Sequence, residues 1–314
     1  MDKDQVISEI NRLKQQKNAV IMAHFYQEND IQDIADVIGD SLALAQEARK
    51  TNADIIVLCG VHFMGETAKI ICPDKKVLIP DVNAGCSLAN SCPAAEFEAF
   101  INAHPDHTVV SYVNTSAEVK ALTDIVVTST NATAIVNSLP ADEKIIFGPD
   151  RNLGNYINGL TGRNMLLWNG ACHVHEQFSI DKLIELKSKH PQSKLIAHPE
   201  CKQVLLNMAD FIGSTSSLIK YAQRSDINEF IVATESGILH EMRRLCPDKE
   251  FIPAPPEDAT CACNECSFMR LNTLEKVLSC LETETPAIEI SAELQPRALK
   301  PILRMLELSA KLQL

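Results

Sequence analysis

The 314-residue sequence has no run of about 18 predominantly apolar residues, the length at which a membrane span is suspected. Its N-terminus, MDKDQVISEINRLKQQKN, is charged where a secretion signal needs an apolar core. A soluble, cytoplasmic protein that engages no membrane is the expectation. Aromatic residues make up only 5%, and the 29 basic side chains are outnumbered by 41 acidic ones and gather in no stripe, leaving a net charge of −12. Nucleic-acid binding is therefore disfavoured. With 11 glycines and 15 prolines the chain is neither collagenous nor of low complexity, and 46% apolar residues exclude intrinsic disorder. The length fits two domains or three small ones. Cysteine is not scarce. There are eleven, Cys59, Cys72, Cys86, Cys92, Cys172, Cys201, Cys246, Cys261, Cys263, Cys266 and Cys280, and in a reducing compartment thiols are buried, metal-binding or catalytic rather than paired.

The sequence repeats three times. AHFY (Ala23 to Tyr26), SYVN (Ser111 to Asn114) and AHPE (Ala197 to Glu200) each close an apolar run with the pattern of a short buried strand. Twelve residues after His24, Tyr112 and His198 come Asp36, Asp124 and Asp210, and seventeen after them come Ser41, Ser129 and Thr215. Nineteen further on, Gly60, Gly148 and Thr234 end a second set of apolar runs. Each copy then reaches a third run and a cysteine: Cys86, Cys172, and the group Cys261, Cys263 and Cys266. Strand and helix alternating in this way make a parallel sheet covered by helices. The expected fold is α/β, with three similar three-layer αβα domains related by a pseudo-threefold axis. The domains are residues 1–84, 85–171 and 172–269, with the helical remainder 270–314 packing back on the first.

Ligands of parallel α/β units bind beyond the carboxyl ends of the strands. His24 and Tyr26, Tyr112 and Asn114, and His198 and Glu200 end the first strand of each copy, so three units around one axis would present them to a single central cavity. Ser41, Ser129, Ser214 and Thr215 precede helical stretches and have the look of N-caps. Aimed at a shared cavity, the same helix starts would also suit phosphate or carboxylate. Each copy-ending cysteine alone reads as a small buried hydrophobe. Three brought to one point suit an iron-sulfur cluster or zinc, and a 4Fe-4S cluster with three cysteine ligands leaves one iron open as a Lewis acid. The run Cys261-Ala-Cys263-Asn-Glu-Cys266 also fits a zinc knuckle or a redox pair.

The motifs AHFYQ, IGDSLALA, FMGETAKI, AGCSLA, SYVNTSAEVKA, TSTNA, GPDRNLG, CHVHEQF, AHPEC, GSTSS, ATESGI and CSFMRLNTLEKV stand in the order they have in the quinolinate synthase family, which the chain resembles over essentially its whole length. The resemblance implies a 4Fe-4S enzyme of NAD biosynthesis that condenses iminoaspartate with dihydroxyacetone phosphate to quinolinate, releasing phosphate and two waters. An enzyme supplying iminoaspartate is a possible protein partner. It also implies that Cys86, Cys172 and Cys266 are the cluster ligands, and that His24, Tyr26, Tyr112, Asn114, His198 and Glu200 line the substrate cavity. Glu200 is then the first choice of base, followed by Tyr26 and His198, with Tyr112 also catalytic. Ser41, Ser129, Ser214 and Thr215 would hold phosphate and carboxylates. The family has CxxCxxC or one cysteine where this chain has CxCxxC, which leaves Cys261 and Cys263 without a role.

Some residues stay outside the expected site. His175 in CHVHEQF reads as a structural histidine near a ligand. Glu66, Lys69 and Arg151 read as ordinary surface charges. Two other classes compete with the enzyme: a hydro-lyase using an open iron on another hydroxy acid, and a non-catalytic iron-sulfur or zinc redox sensor, which would need no convergent acid-base set.

Overall fold

Three copies of one pattern call for three sheets of one topology, and the computed structural model has them. It describes residues 1–258 and 264–314, so Cys261 and Cys263 lie outside the described residues. The first unit comprises α1 (Lys3–Gln16), β1 (Ala19–His24), α2 (Asn29–Ile34), β2 (Val37–Gly39), α3 (Ser41–Lys50), β3 (Ile55–Cys59), α4 (His62–Ile71) and β4 (Lys76–Leu78). The second has α5 (Ser87–Asn90), α6 (Ala94–Asn102), β5 (Thr108–Tyr112), α7 (Ala117–Lys120), β6 (Ile125–Val127), α8 (Ala132–Ser138), β7 (Ile145–Gly148), α9 (Arg151–Thr161) and β8 (Leu166–Leu167). The third has α10 (His173–Glu176), α11 (Ile180–Lys189), β9 (Lys194–Ala197), α12 (Gln203–Leu206), β10 (Phe211–Ile212), α13 (Thr215–Arg224), β11 (Glu229–Ala233), α14 (Ile238–Leu245) and β12 (Glu250–Pro253). A 3₁₀ turn (Met269–Leu271), α15 (Leu274–Thr283) and α16 (Leu294–Lys311) complete the chain.

Each sheet has four parallel strands in the same order, β2-β1-β3-β4, β6-β5-β7-β8 and β10-β9-β11-β12. Helices cover both faces, as parallel strands require, so β3 and β7 read as continuous apolar runs and are buried along their length. The repeated aspartate has a structural reason. Asp36, Asp124 and Asp210 each enter the second strand and accept a hydrogen bond from the backbone N–H of Ile21, Val109 and Leu195 at 2.9, 2.9 and 2.8 Å. The side chain thereby ties each edge strand to the first strand beside it.

Register refines one spacing. Ala23 pairs with Cys59 and Ala197 with Ala233, whereas Ser111 pairs with Gly148. Gly148 is thus the counterpart of Cys59, not of Gly60, and the second unit holds one extra residue before β7. Helix α15 returns to the first unit and packs on α1 and β3, where Leu274, Val277 and Leu281 share a core with Val6, Ile10 and Leu13. Helix α16 reaches further than the first unit. It lies against α4 of that unit and against α7, α8 and β6 of the second, burying Ala298, Ile302 and Met305 completely. Among the described residues no helix is long and apolar enough to cross a membrane.

Candidate active site

The carboxyl ends of the three sheets face one cavity. His24 and Tyr26 reach it from the end of β1, Tyr112 and Asn114 from β5, and His198 and Glu200 from β9, so the six strand-end residues named from the repeat converge. Cys86, Cys172 and Cys266 line it as well, together with Ser41, Ser129 and Thr215.

The hydroxyls differ in role from the N-caps their sequence suggests. Asp40, not Ser41, caps α3 and accepts from the N–H of Ala43 at 3.0 Å, which leaves Ser41 as the first helical residue. Asn131 occupies the cap position of α8, and Ser129 precedes it in the turn. Ser214 does cap α13, accepting from the N–H of Ser217 at 3.3 Å. It is buried behind the wall and does not line the cavity, whereas its neighbour Thr215 does. Asp40, Thr130 and Ser214 bring the three units together: the Thr130 hydroxyl lies 2.9 Å from both Asp40 Oδ2 and Ser214 Oγ, and Ser216 donates to Asp40 Oδ2 at 2.6 Å.

Glu200 is 3% exposed and sits among donors. The Tyr112 hydroxyl donates to Oε1 at 2.6 Å, and His175 Nδ1 stands 3.1 Å from Oε2. Burial pushes this carboxyl up, but His175, His198 and Tyr112 outweigh it and hold it down, at about 2. Burial pushes His24 down to about 4 and His198 to about 3, so both imidazoles are neutral near pH 7. Tyr26 and Tyr112 are driven well above the usual phenol value by burial and by the Glu200 charge, so both stay protonated.

The two neutral histidines share one tautomer. Backbone N–H of Tyr26 donates to His24 Nδ1 at 3.2 Å, and that of Glu200 to His198 Nδ1 at 3.4 Å. Nδ1 is the acceptor in both rings, so Nε2 carries the proton. Neutral donors dominate the wall. No lysine or arginine is among the described residues that line it.

The three cavity thiols are set apart from the other buried cysteines. Cys72 and Cys280 donate S–H to the carbonyls of Ala48 and Ile79, and Cys201 donates to that of Ala233 while the His198 N–H also faces its sulfur. Around Cys86, Cys172 and Cys266 the backbone N–H groups of Ala89, His175 and Met269 face the sulfur instead and favour its thiolate form. Burial works against that form and is the largest influence on all three. Nearby negative charge reinforces it, from Cys266 and Glu200 at Cys86, from Glu200, Cys86 and Cys266 at Cys172, and from Glu235 at Cys266, so Cys86 is pushed up to about 12, and Cys172 and Cys266 are also raised. Three sulfurs faced by N–H donors in one buried pocket are the donor set that a polynuclear cation would satisfy.

Sequence reasoning missed three members of the site. His175 is a wall residue, 2% exposed, and its Nε2 shares a hydrogen bond of 2.9 Å with Thr234 Oγ1, which in turn lies 2.6 Å from the Tyr26 hydroxyl. Cys172, His175 and Glu200 also bring ligand atoms within 4.8 Å of one another, a spacing that could hold a metal ion. Glu235 lines the cavity beside Cys266, accepting from its N–H at 3.1 Å and from Arg270 at 2.9 Å. Asp40 is the third. All three stand in motifs of the sequence, CHVHEQF, ATESGI and IGDSLALA, but only His175 was weighed for a role. Of the charges read as surface groups, Glu66 is buried and accepts from the N–H of Ala117 at 3.1 Å. Lys69 binds the carbonyls of Pro73 and Lys75, and Arg151 pairs with Glu176 at 3.0 Å.

Known proteins resemble the chain over nearly its full length. The family described as NadA: Quinolinate synthetase A protein matches residues 8–307. The quinolinate synthase of Trichormus variabilis is 60% identical over 300 residues, 96% of this chain and 92% of that protein. Those of Thermosynechococcus vestitus and Chloroherpeton thalassium are each 58% identical over 304 residues, 97% of this chain and 95% and 94% of theirs. With the cysteine set, the strand-end residues and the threefold sheet order in place, the chain belongs to the quinolinate synthetase A family.

Proposed function

We propose that the cavity carries out quinolinate synthesis, the function of this family in NAD biosynthesis, with iminoaspartate and dihydroxyacetone phosphate as substrates. The observation that supports this best is the pairing of an ionised Glu200 with protonated Tyr112 and Tyr26 and two neutral histidines in one pocket that also holds three thiols. Condensation, loss of phosphate, ring closure and two dehydrations all move protons on and off carbon and oxygen. In this reading Glu200 takes protons. The Tyr112 hydroxyl, already donating to it, returns them, and His24 and His198 offer Nε2–H donors to substrate oxygens. Ser41, Ser129 and Thr215, at or before helix starts, hold the phosphate and carboxylates without a cationic side chain on the wall. Asn114 has a buried Oδ1 with no partner, free to accept from a substrate donor.

Cys86, Cys172 and Cys266 fit a 4Fe-4S cluster, which would supply one iron without a protein ligand as a Lewis acid for a substrate oxygen. The three domains of this reading are residues 1–84 with 270–314, 85–171 and 172–269, the second contributing Cys86 and the third Cys172 and Cys266. The convergent acid-base residues argue against a redox sensor, which has no use for them. A cytoplasmic setting suits cysteines that are all unpaired among the described residues, and an enzyme forming iminoaspartate would have to work nearby, because imines hydrolyse in water. The test is an anaerobic assay of cluster-loaded protein with both substrates. Quinolinate and phosphate formed in equal amounts are the expected products, and their absence from protein with a full cluster would overturn the assignment.

A further inference from the structure

Two buried polar side chains outside the cavity occupy the same place in the repeat. Gln32 stands eight residues after His24 and Lys120 eight after Tyr112, on the short helices α2 and α7. Both are almost wholly buried, at 1% and 0% exposed, and burying an amide or an ammonium is costly unless its hydrogen bonds are made. Their partners are equivalent too. Gln32 Nε2 donates to the carbonyls of Phe25 and Gln27 at 3.1 and 2.8 Å, the residues on either side of Tyr26. Lys120 Nζ donates to the carbonyl of Val113 at 2.9 Å and to that of Thr115, the residues on either side of Asn114.

We infer that Gln32 and Lys120 are positioning residues of the reaction, each clamping the two carbonyls that bracket a cavity-lining side chain, Tyr26 in one unit and Asn114 in the next. Each clamp also holds a second wall. The Lys120 ammonium lies 5.4 Å from the ring centroid of Phe63, a cavity residue of the first unit. The carbonyl of Gly237 in the third unit also lies 2.9 Å from Gln32 Nε2, so the two amide hydrogens are shared among three carbonyls. There the two backbones approach so closely that a Cβ on Gly237 would stand 2.8 Å from the Tyr26 carbonyl carbon. The third repeat departs from the pattern. Leu206 occupies the equivalent place and has no donor, and Asn152 of the second unit reaches the Glu200 carbonyl instead, at 3.0 Å. A role in packing alone would not require a donor between two carbonyls; Leu206 fills the same place without one.

This inference rests on the reading that Asn114 and Tyr26 touch substrate, and the experiment separates the two. Cluster-loaded protein is studied in two double-mutant cycles, Lys120→Met with Asn114→Ala and Gln32→Met with Tyr26→Phe. The readouts are the Kd of quinolinate by calorimetry, kcat and KM, and the melting temperature. Losing or misplacing one ligand hydrogen bond weakens binding by about 10-fold. Lys120→Met and Asn114→Ala should each do so, and the double variant should fall by no more than about 20-fold, where independent effects would give about 100-fold. The loss in melting temperature caused by Lys120→Met should be the same with or without Asn114. If Lys120→Met does not fold, the Gln32 cycle carries the same expectation. Effects that multiply, or a stability loss with unchanged Kd and kcat, would overturn the positioning role alone. Unchanged binding and turnover in both Asn114→Ala and Tyr26→Phe would overturn the site reading, and the inference with it.

Discussion

Glu200 has the surroundings of a base that is ionised when substrate arrives: 3% exposed, one oxygen taking the Tyr112 proton at 2.6 Å and the other 3.1 Å from an imidazole. Glu200→Gln keeps the size and one acceptor while removing the charge, so the fold and the cluster should persist. Turnover should fall by about 10²–10⁴-fold, the usual contribution of a general base, as read by steady-state kinetics beside iron content. Near-parental turnover would move the base to another residue, with Tyr26 and His198 the next to substitute. The six strand-end residues were legible in the sequence because a parallel sheet exports its last residues to one end, whatever packs around it. Ser41 was misread as a cap because Asp40 and Ser41 are both good capping residues, and only the helix start decides between them. His175 was undervalued because α10 is a single turn with no periodicity to show which side it presents. Its place depends on Thr234 and Glu200, more than twenty residues away in sequence.

At the scale of elements, the repeated aspartate is the clearest case of a local residue fixing a tertiary pairing. Edge strands β2, β6 and β10 are only three, three and two residues long, too short to hold register by backbone bonds alone. Asp124 Oδ2 receives the Val109 N–H at 2.9 Å, and the Asp124 N–H returns to the Val109 carbonyl at 2.9 Å, so one residue closes both bonds. A hydrogen bond to a charged group contributes about 1.5–3 kcal/mol and a neutral one about 0.5–1.5. Asp124→Ala should therefore destabilise the protein by about 2 kcal/mol in chemical denaturation, and Asp124→Asn, which keeps an acceptor, by roughly half of that. Equal losses for the two variants would mean that the carboxylate acts through charge rather than as an acceptor for Val109. The offset that revealed this aspartate was visible in sequence because it spans one strand, one short helix and one turn, with no room for insertion. The longer stretch to the next strand had that room, and there the second unit carries its extra residue. Helix α16 shows the opposite limit: amphipathicity says that one face is covered, but α4, α7, α8 and β6 together cover it, and no property of the helix names them.

No unit of the molecule has a site of its own. The first gives His24, Tyr26 and Ser41, the second Cys86, Tyr112 and Asn114, and the third Cys172, His198, Glu200 and Cys266, and the polar contacts of Asp40, Thr130 and Ser214 join the three. Ligand thiols drawn from distant segments, Cys86 in one unit and Cys172 and Cys266 at opposite ends of another, fail differently from thiols clustered on one loop, because each is held in place by its own surroundings and none can substitute for another. Cys86→Ala, Cys172→Ala and Cys266→Ala should each reduce iron and sulfide from about four per chain, the content of a 4Fe-4S cluster, to a small fraction, with the parental circular dichroism retained. Cys201→Ala and Cys280→Ala are the controls: they are buried at 0% and 1% exposure and donate to backbone carbonyls. They should lower the melting temperature and leave the iron content unchanged. Iron and sulfide are measured chemically on protein purified and reconstituted without oxygen, all five variants side by side. A full complement of iron in any one of the first three would remove that thiol from the ligand set. The same loss in Cys201→Ala or Cys280→Ala would mean that iron content follows stability, and a place on the cavity wall would no longer identify ligands.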